Sequence, residues 1–336
     1  MSDSKKIAVI GGGSWATALI KILSNNVDSL NWYMRNETAV DHILKYRHNP
    51  NYLQSVEIDL NKINVSIDLA EVVRPVDIVI IASPSAFLVN LFENCPPELF
   101  NEKIVFSSVK GIIPEYNAIP ARFIHKTFRI PYDRIGIICG PCHAEEVALE
   151  RLSYLTVACQ DEELAEEMAE ILACRYIKTT ISDDLIGTEI SAVLKNVYSI
   201  ASGICSGLGY GDNFQAVLIS NAIQETENLI DEMSPIHRDV KSSAYLGDLL
   251  VTAYSKFSRN RTFGYMIGKG YSVKSAQLEM DMIAEGFYAA KSLMEIKKKF
   301  QVEMPIVEAV NNILYEIYSI LYKMWGYRKN ATNLLQ

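Results

Sequence analysis

The sequence predicts an α/β fold, in which a doubly wound sheet forms the first half and an all-α domain forms the second. Short runs rich in Ile and Val alternate with helical patterns up to about residue 182. These runs are almost continuously apolar, which is typical of parallel strands buried on both faces. From about residue 183 the strand-like runs disappear, and long helical patterns continue to the end of the chain.

The individual elements follow from these patterns in chain order. Strands are predicted at residues 6–10, 30–34, 63–67, 77–82, 104–107, 135–139, 155–158 and 176–179. Helices are predicted at residues 16–23 and 162–173, where apolar residues recur at helical spacing. Residues 193–204 are small and apolar, which predicts a tightly packed interior helix. We therefore expect two domains, residues 1–182 and 183–336.

Bulk composition disfavours several classes of function. The chain has 336 residues and a formal net charge of −8, which disfavours binding to nucleic acid or anionic membranes through bulk charge. The apolar run at residues 7–10 is too short for a secretory signal, and the run at residues 78–82 is too short to cross a bilayer. We expect a cytoplasmic protein that binds no nucleic acid and does not insert into membranes.

The cysteines and histidines predict no metal site. Cys139 and Cys142 form a Cys-x-x-Cys pair, but neither a second pair nor a thioredoxin-like setting accompanies it. We expect reduced thiols, which are usual in cytosolic proteins. The histidines show no metal-ligand spacing, which argues against a zinc dehydrogenase. His143 lies near a strand end without an evident carboxylate partner, and we expect it to be structural.

A glycine-rich segment between the first strand and the first helix predicts a dinucleotide site. Gly11, Gly13 and Ala16 fit the pattern G-x-G-x-x-G/A. The first glycine allows a tight turn, the second lets the backbone approach a pyrophosphate, and the third small residue lets the helix pack on the strand. The helix N-terminus then offers unpaired N–H groups to the phosphates. The first domain is therefore expected to be of the Rossmann type.

The end of the second strand bears on the choice of cofactor. An NAD-selective site usually has Asp or Glu at this point, whereas Arg accommodates a 2′-phosphate. Arg35 occupies the position, and Glu37 follows two residues later. We expect NADP(H) to be accepted and keep NAD(H) as an alternative. A solvated surface charge is the other interpretation of Arg35.

Eight short motifs, spread from about residue 7 to residue 310, carry a resemblance to a known enzyme family. They are Gly13-Ser14-Trp15, Lys110-Gly111, Gly140-Pro141 with Ala144 and Glu146, Lys195-Asn196, Leu246-Gly247-Asp248-Leu249, Ser258-Arg259-Asn260-Arg261-x-Phe263-Gly264, Glu285-Gly286 and Met304-Pro305-Ile306. In this order they resemble the NAD(P)-dependent glycerol-3-phosphate dehydrogenase family. The resemblance implies hydride transfer between NAD(P)H and dihydroxyacetone phosphate, which gives sn-glycerol 3-phosphate for glycerophospholipid synthesis. It also suggests a homodimer.

Lys195 and Asp248 are the candidate catalytic residues. Lys195 lies among apolar helical neighbours, where loss of hydration lowers the pKa of a lysine, and the resemblance assigns it an acid–base role. The alternative is a lysine that extends to the surface. Asp248 and Thr252 would share one face of a helix, so the carboxylate could orient the ammonium and the hydroxyl could bond to a substrate oxygen. Asp248 could equally be a helix N-cap, and the two uses are compatible.

Arg259 and Asn260 are the candidate phosphate ligands. The planar guanidinium matches phosphate geometry, and the amide adds further donors. Lys110 follows a predicted strand, so it would lie at the carboxyl edge of the sheet, beside both nicotinamide and substrate. The resemblance adds further contacts with the substrate, at Gly140, Cys142, Asn196 and Ser258, and with the cofactor, at Ser14, Trp15, Ala144, Arg259 and Glu285.

The chain also departs from the family pattern at four places. They are Ala16 at the third glycine position, a Pro-Ser pair shifted to Ser83-Pro84, Cys142-His143 in place of Thr-Phe, and Gln215 in place of a basic residue.

Two other interpretations of the function stay open. One is a related reductase, such as a ketopantoate reductase or a hydroxyacyl-CoA dehydrogenase, and the other is a non-catalytic sensor of the cofactor ratio. Neither reductase explains the run from Ser258 to Gly264.

Overall fold

The computed structural model describes residues 5–280 and 284–316, and its centre is one eight-stranded sheet. The strands are β1 (Ile7–Ile10), β2 (Leu30–Tyr33), β3 (Ile63–Ser66), β4 (Ile78–Ile81), β5 (Ile104–Ser107), β6 (Ile135–Cys139), β7 (Ser153–Cys159) and β8 (Ile177–Ser182). Their order across the sheet is β3-β2-β1-β4-β5-β6-β7-β8. Each predicted strand is confirmed, within two residues at most ends.

Strand direction differs from the prediction at one edge of the sheet. Strands β1 to β6 pair in parallel, as their continuous apolar runs predict. Strand β7 runs antiparallel to β6, and β8 runs parallel to β7. Because an apolar run shows burial and carries no information on direction, the sequence pattern could not predict this reversal.

Helices cover the sheet and form the second half of the chain. The α-helices of the described residues are α1 (Ser14–Leu23), α2 (Glu37–Tyr46), α3 (Leu69–Val73), α4 (Leu88–Phe92), α5 (Pro120–Phe128), α6 (Ala144–Ala148), α7 (Glu162–Leu172), α8 (Leu185–Leu208), α9 (Asp212–Met233), α10 (Asp248–Tyr254), α11 (Arg259–Gly268), α12 (Val273–Glu279), α13 (Glu285–Phe300) and α14 (Pro305–Asn311). The two helices predicted in the first half are confirmed as α1 and α7. None of these helices is both long and apolar enough to cross a membrane.

Helix α8 is the central helix of the second half. Every residue from 193 to 204 is buried, which confirms the predicted interior helix. Helix α11 lies against it at backbone distance, because both helices carry glycine at the contact. A Cβ atom at Gly264 would lie 2.1 Å from the carbonyl oxygen of Ile200, and one at Gly203 would lie 2.1 Å from that of Arg261.

Two apolar clusters lie on opposite faces of the sheet. Side chains alternate between the two faces along a strand, so Val9 belongs to the cluster with α1 and α7, while Ile10 belongs to the cluster with Val193 and Leu194 of α8. The helical half is therefore packed directly on the sheet and shares a core with it. Strand β8 ends at Ser182, next to the predicted domain boundary, and the division at residue 182 stays a prediction.

The strand order also indicates where a ligand binds. Strand β1 pairs with β2 on one side and with β4 on the other, and the connections leave in opposite directions at this point. In open α/β sheets such a switch point forms a crevice at the carboxyl ends of the strands. The glycine-rich segment follows β1 directly and so lies at this crevice.

The contact between α8 and α11 gives a test by stability. Gly264→Ala is expected to lower the free energy of unfolding by about 1–3 kcal/mol, because the added methyl group overpacks a backbone contact. Gly211→Ala is the matched control, since its φ is −87° and no atom lies within 4 Å of an added Cβ. Urea unfolding followed by circular dichroism measures both. Equal losses in the two variants would contradict the close approach of the helices.

Candidate active site

A cleft with a volume of about 390 Å³ lies between the carboxyl edge of the sheet and the helical half. Most of the predicted site residues line it: Gly13, Ser14, Trp15, Lys110, Cys142, Ala144, Lys195, Asn196, Asp248, Thr252, Arg259, Asn260 and Glu285. The predicted residues outside this lining are Gly11, Arg35, Gly140 and Ser258. Both halves of the chain therefore contribute walls to one site.

The glycine-rich turn forms one end of the cleft. Gly11 has a φ of +137°, and a Cβ there would lie 2.4 Å from the carbonyl oxygen of Ala82 at the end of β4. A Cβ at Gly13 would meet no atom within 4 Å, and Gly13 has no side chain with which to cap α1. The N-terminus of α1 thus has no side-chain cap and lies beside open space at Gly13, which fits the pyrophosphate of a dinucleotide.

Two residues that sequence reasoning missed hold this turn in place. Trp32 Nε1 donates a hydrogen bond of 2.6 Å to the carbonyl oxygen of Gly11. Asn49 Nδ2 donates to the carbonyl oxygen of Gly12 at 3.2 Å and to Thr17 Oγ1 at 2.9 Å. These contacts join residues far apart in sequence, so no local motif could have revealed them.

Trp15 lines the cleft, and Arg35 lies near it. Arg35 is exposed, and its guanidinium carbon lies 5.9 Å from the ring centroid of Phe87, which lines the cleft. Trp15 Nε1 is buried and has no hydrogen-bond partner among the described residues. A buried N–H group that faces a cleft favours a ligand with a hydrogen-bond acceptor.

Three charged side chains meet at the centre of the cleft. Lys195 extends from the interior of α8, Asp248 is the first residue of α10, and Lys110 follows β5. Lys195 Nζ forms an ion pair with Asp248 Oδ1, and Lys110 Nζ lies 3.6 Å from Asp248 Oδ2. The side chains of Lys195 and Asp248 are only 6% and 2% exposed. Two ammonium groups share one carboxylate, so the cluster attracts negative charge.

Burial and mutual contact shift the pKa values of the two lysines in opposite directions. Burial lowers the pKa of Lys195 to about 8, with the Lys110 charge acting in the same direction and Asp248 opposing it. Burial also acts to lower the pKa of Lys110, but the Asp248 charge and neighbouring groups outweigh it and raise that pKa. Lys195 is therefore the group that can release a proton near neutral pH.

A chain of amide hydrogen bonds fixes the walls around this cluster. Asn196 Nδ2 donates to the carbonyl oxygen of Lys110 at 2.5 Å, and Asn260 Nδ2 donates to Asn196 Oδ1 at 2.9 Å. The backbone N–H of Gly286 donates to Asn260 Oδ1 at 3.0 Å. Each of these two bonds uses one of the two N–H donors of an asparagine amide.

Ser258, Gly140 and Thr252 make contacts within the protein. Ser258 Oγ caps α11, accepts from the N–H of Arg261 at 3.2 Å, and shares a hydrogen bond of 2.9 Å with Ser199 Oγ. The carbonyl oxygen of Gly140 accepts from Lys110 Nζ at 3.2 Å. Thr252 Oγ1 donates to the carbonyl oxygen of Asp248 at 2.7 Å, so it can offer only an acceptor to the cleft.

Glu285 connects the two halves beside the cleft. Its carboxylate accepts from the N–H of Ser85 at 3.0 Å and from Ser85 Oγ at 2.5 Å. A Cβ at Gly111 would lie 2.3 Å from Glu285 Oε2, so only glycine leaves room for this contact. Burial raises the pKa of Glu285, although the Ser85 hydrogen bonds and the Arg259 charge oppose it. Sequence reasoning did not predict Ser85.

The departures from the family pattern fall in different places. His143, which was expected to be structural, lines the cleft. Gln215 lies outside the lining of the cleft, where its amide exchanges hydrogen bonds of 2.8 and 3.0 Å with Ser202.

The two thiols of the Cys-x-x-Cys pair, Cys139 and Cys142, are free, and burial raises the pKa of each to about 12. Within the described residues, no group of three His, Cys, Asp or Glu side chains is placed to hold a metal ion.

Comparison with known proteins places this geometry in a family. Residues 6–165 match the model of the NAD-dependent glycerol-3-phosphate dehydrogenase N-terminus, and residues 184–322 match that of the C-terminus. The chain is 31% identical to glycerol-3-phosphate dehydrogenase [NAD(P)+] of Staphylococcus carnosus over 312 residues, which cover 93% of this chain and 94% of the relative. The protein of the same name from Staphylococcus aureus strain JH9 is 32% identical over 316 residues, with 94% and 95% covered.

A solved structure shows the same similarity. The crystal structure of glycerol-3-phosphate dehydrogenase from Coxiella burnetii superimposes with a TM-score of 0.86 at 26% sequence identity. The match covers 93% of this chain and 95% of that one. The sheet and the helical half are therefore arranged as in a solved enzyme over almost their whole length.

The buried charge cluster gives a second test by stability. Asp248→Asn is expected to lower the free energy of unfolding by about 3–5 kcal/mol at pH 7, because the buried Lys195 and the partly buried Lys110 lose the carboxylate that they share. Glu295→Gln removes one partner of an exposed ion pair with Lys298, whose side chains are 58% and 68% exposed. Because solvent screens that pair, the control should lose only about 0.2–1 kcal/mol. Urea unfolding measures both, and similar losses would contradict a buried role for Asp248.

Proposed function

The chain belongs to the NAD-dependent glycerol-3-phosphate dehydrogenase family, and from this membership we propose that Lys195 is the acid–base group of its active site. The chain is an NAD(P)-dependent oxidoreductase that interconverts dihydroxyacetone phosphate and sn-glycerol 3-phosphate. The observation that supports our proposal is the buried Lys195–Asp248 ion pair in the cleft. A lysine with a pKa of about 8 can both give and take a proton at physiological pH.

The residues around the glycine-rich turn fit the cofactor. NAD(P)H, when bound, supplies the hydride that reduces the ketone carbon. The backbone N–H groups at Gly13 and Ser14 would hold its pyrophosphate, and the Nε1 of Trp15, which has no partner among the described residues, would donate to it. Ala144 and Glu285 line the same cleft and are proposed as further cofactor contacts. Arg35 would bind the 2′-phosphate of NADP(H), and the preference between the two cofactors stays a prediction.

The charge cluster would provide the proton and stabilise the transition state. In reduction, the Lys195 ammonium donates its proton to the ketone oxygen as negative charge develops there. The Lys110 ammonium adds a second positive charge on the same side, and the Asp248 carboxylate orients both lysines. In the reverse direction the neutral amine of Lys195 accepts the proton of the substrate hydroxyl. These steps need no metal ion, since the proton donor and the charge come from side chains.

Arg259 and Asn260 are proposed as the phosphate ligands of the substrate. Both line the cleft, and Asn260 keeps one amide donor after its contact with Asn196. Arg259 adds a guanidinium, whose fork matches two phosphate oxygens. Asn196, with its own remaining donor, would hold the substrate oxygen in line with Lys195. Cys142 and Thr252 line the same cleft and are proposed as further substrate contacts. Ser258 would contribute indirectly by capping α11, and Gly140 by accepting a hydrogen bond from Lys110 Nζ.

The proposal also covers the use of the product, the compartment and the oligomeric state. The product is the backbone of glycerophospholipids, so the enzyme would supply their synthesis. We propose that it works in the cytoplasm as a homodimer, in line with the resemblance of its motifs to the family. The two other interpretations are less well supported. A sensor without catalysis would need no buried acid–base lysine, and family membership separates the chain from ketopantoate reductases and hydroxyacyl-CoA dehydrogenases.

Oxidation of NADPH with and without dihydroxyacetone phosphate tests the proposal, and Lys195→Met tests the role of the lysine. The variant should reduce kcat by roughly 10²–10⁴-fold, the usual effect of removing a general acid. Cofactor affinity should change little, because the glycine turn is unaltered. Lys298→Met is the matched control, since this lysine is 68% exposed. A folded Lys195→Met variant with near wild-type kcat would assign the proton transfer to another group, with Lys110 the first to test.

The pH dependence of the two directions tests the same role. Reduction needs the protonated ammonium of Lys195, whose pKa is about 8. The kcat/KM for reduction should therefore fall as the pH rises above that value, while the kcat/KM for oxidation should rise through the same range. Initial rates between pH 6 and about 10, at substrate concentrations well below KM, measure both profiles, because kcat/KM reports the pKa values of the free enzyme. Parallel profiles in the two directions would argue against a shared acid–base lysine.

Arg259→Ala tests recognition of the phosphate group. The variant should lose about 2–4 kcal/mol of transition-state binding with dihydroxyacetone phosphate, because the phosphate loses a charged partner. Its weak activity with dihydroxyacetone, which has no phosphate, should hardly change. Arg122→Ala is the matched control, because Arg122 is exposed and lies outside the cleft. An equal loss of kcat/KM with both substrates would instead indicate a general structural effect.

A further inference from the structure

His143 is a polar side chain of the cleft for which the proposed mechanism has no use. It precedes α6, directly after the Gly-Pro turn at the end of β6, and it lines the cleft. Its Nε2 atom is buried and has no hydrogen-bond partner among the described residues. Its ring centroid lies 6.1 Å from that of Phe257, another lining residue. A buried ring nitrogen without a hydrogen-bond partner is unfavourable. We therefore expect a bound molecule to form a hydrogen bond with Nε2.

The environment of the His143 ring determines which chemical group of a bound molecule can pair with Nε2. Burial and the charges of Lys195 and Lys110 lower the pKa of His143 to about 4, so the imidazole is neutral at physiological pH. A neutral imidazole is a weak partner for a phosphate dianion, in contrast to the guanidinium of Arg259. A hydroxyl group both donates and accepts, so it can bond to Nε2 whichever tautomer the ring adopts.

The substrate offers one such group that is otherwise unassigned. Dihydroxyacetone phosphate has three polar parts, namely the phosphate, the ketone and a free primary hydroxyl. Arg259 and Asn260 are matched to the phosphate, and the two lysines are matched to the ketone oxygen. We propose that His143 Nε2 hydrogen-bonds to the free hydroxyl of the three-carbon substrate, so that His143 is a specificity-determining residue. This inference rests on the proposed function and adds a contact to the same site.

A phenyl ring fills nearly the same space as an imidazole but has no hydrogen-bonding atom. Replacement of His143 by Phe therefore removes the contact while keeping the shape of the cleft.

Two substrates that differ only in the hydroxyl test the proposal. Hydroxyacetone phosphate keeps the ketone and the phosphate but has a methyl group in place of the free carbinol. The ratio of kcat/KM for dihydroxyacetone phosphate to kcat/KM for hydroxyacetone phosphate measures recognition of the hydroxyl. In His143→Phe this ratio should fall about fivefold, the usual effect of one hydrogen bond between neutral groups. Activity with hydroxyacetone phosphate should be retained, which also shows that the variant is folded.

A second variant separates hydrogen bonding from shape. His143→Gln places an amide near the position of Nε2 and should keep most of the wild-type ratio. An unchanged ratio in His143→Phe would overturn the proposal, including the case in which both substrates lose activity equally. If the wild-type enzyme reduced neither substrate, the proposed function itself would fail, and that outcome is distinct from an unchanged ratio.

Discussion

The contact of two lysine ammonium groups with the buried carboxylate of Asp248 fixes how the two halves of the chain must meet. Charged groups lose hydration when they are buried, and attraction between them compensates only if they are held in close contact. Here Lys110 comes from the sheet, Lys195 from the interior of α8 and Asp248 from the start of α10. Since the partners belong to different halves of the chain, the cluster exists only while both halves are fixed against each other. The shared apolar core and the Ser85–Glu285 contact provide that fixation.

The position of Asp248 depends in turn on a second buried carboxylate. Asp184 caps α8 by accepting from the N–H of Gly187 at 2.9 Å. Its other oxygen accepts from Arg238 Nε at 2.7 Å and from Tyr245 Oη at 2.6 Å. Arg238 and Tyr245 lie in the segment that leads into α10. The start of α8 therefore anchors the chain just before Asp248, while the middle of α8 provides Lys195. One helix thus sets the position of both members of the ion pair.

The sequence predicts the features that local patterns determine. Apolar runs predicted every strand, and the glycine pattern predicted the turn at Gly11, because both depend on neighbouring residues. Long-range contacts are different, since nothing near Asn49 shows that it will hold the carbonyl of Gly12. The direction of β7 and the place of His143 in the cleft also depend on packing. The site is predictable where a motif carries its chemistry, and unpredictable where a distant residue supports it.

The pKa values of Lys110 and Lys195 shift in opposite directions, which suits the two lysines to different roles. A single carboxylate cannot neutralise two ammonium groups, so one lysine must bear most of the unfavourable desolvation. Lys110 is nearer to solvent, with 20% of its side chain exposed against 6% for Lys195, and its pKa is raised. Lys195 is deeper, and its pKa falls to about 8. Groups whose environments separate their pKa values can take separate roles. In the proposed mechanism, Lys110 would therefore remain a fixed positive charge, and Lys195 would exchange its proton.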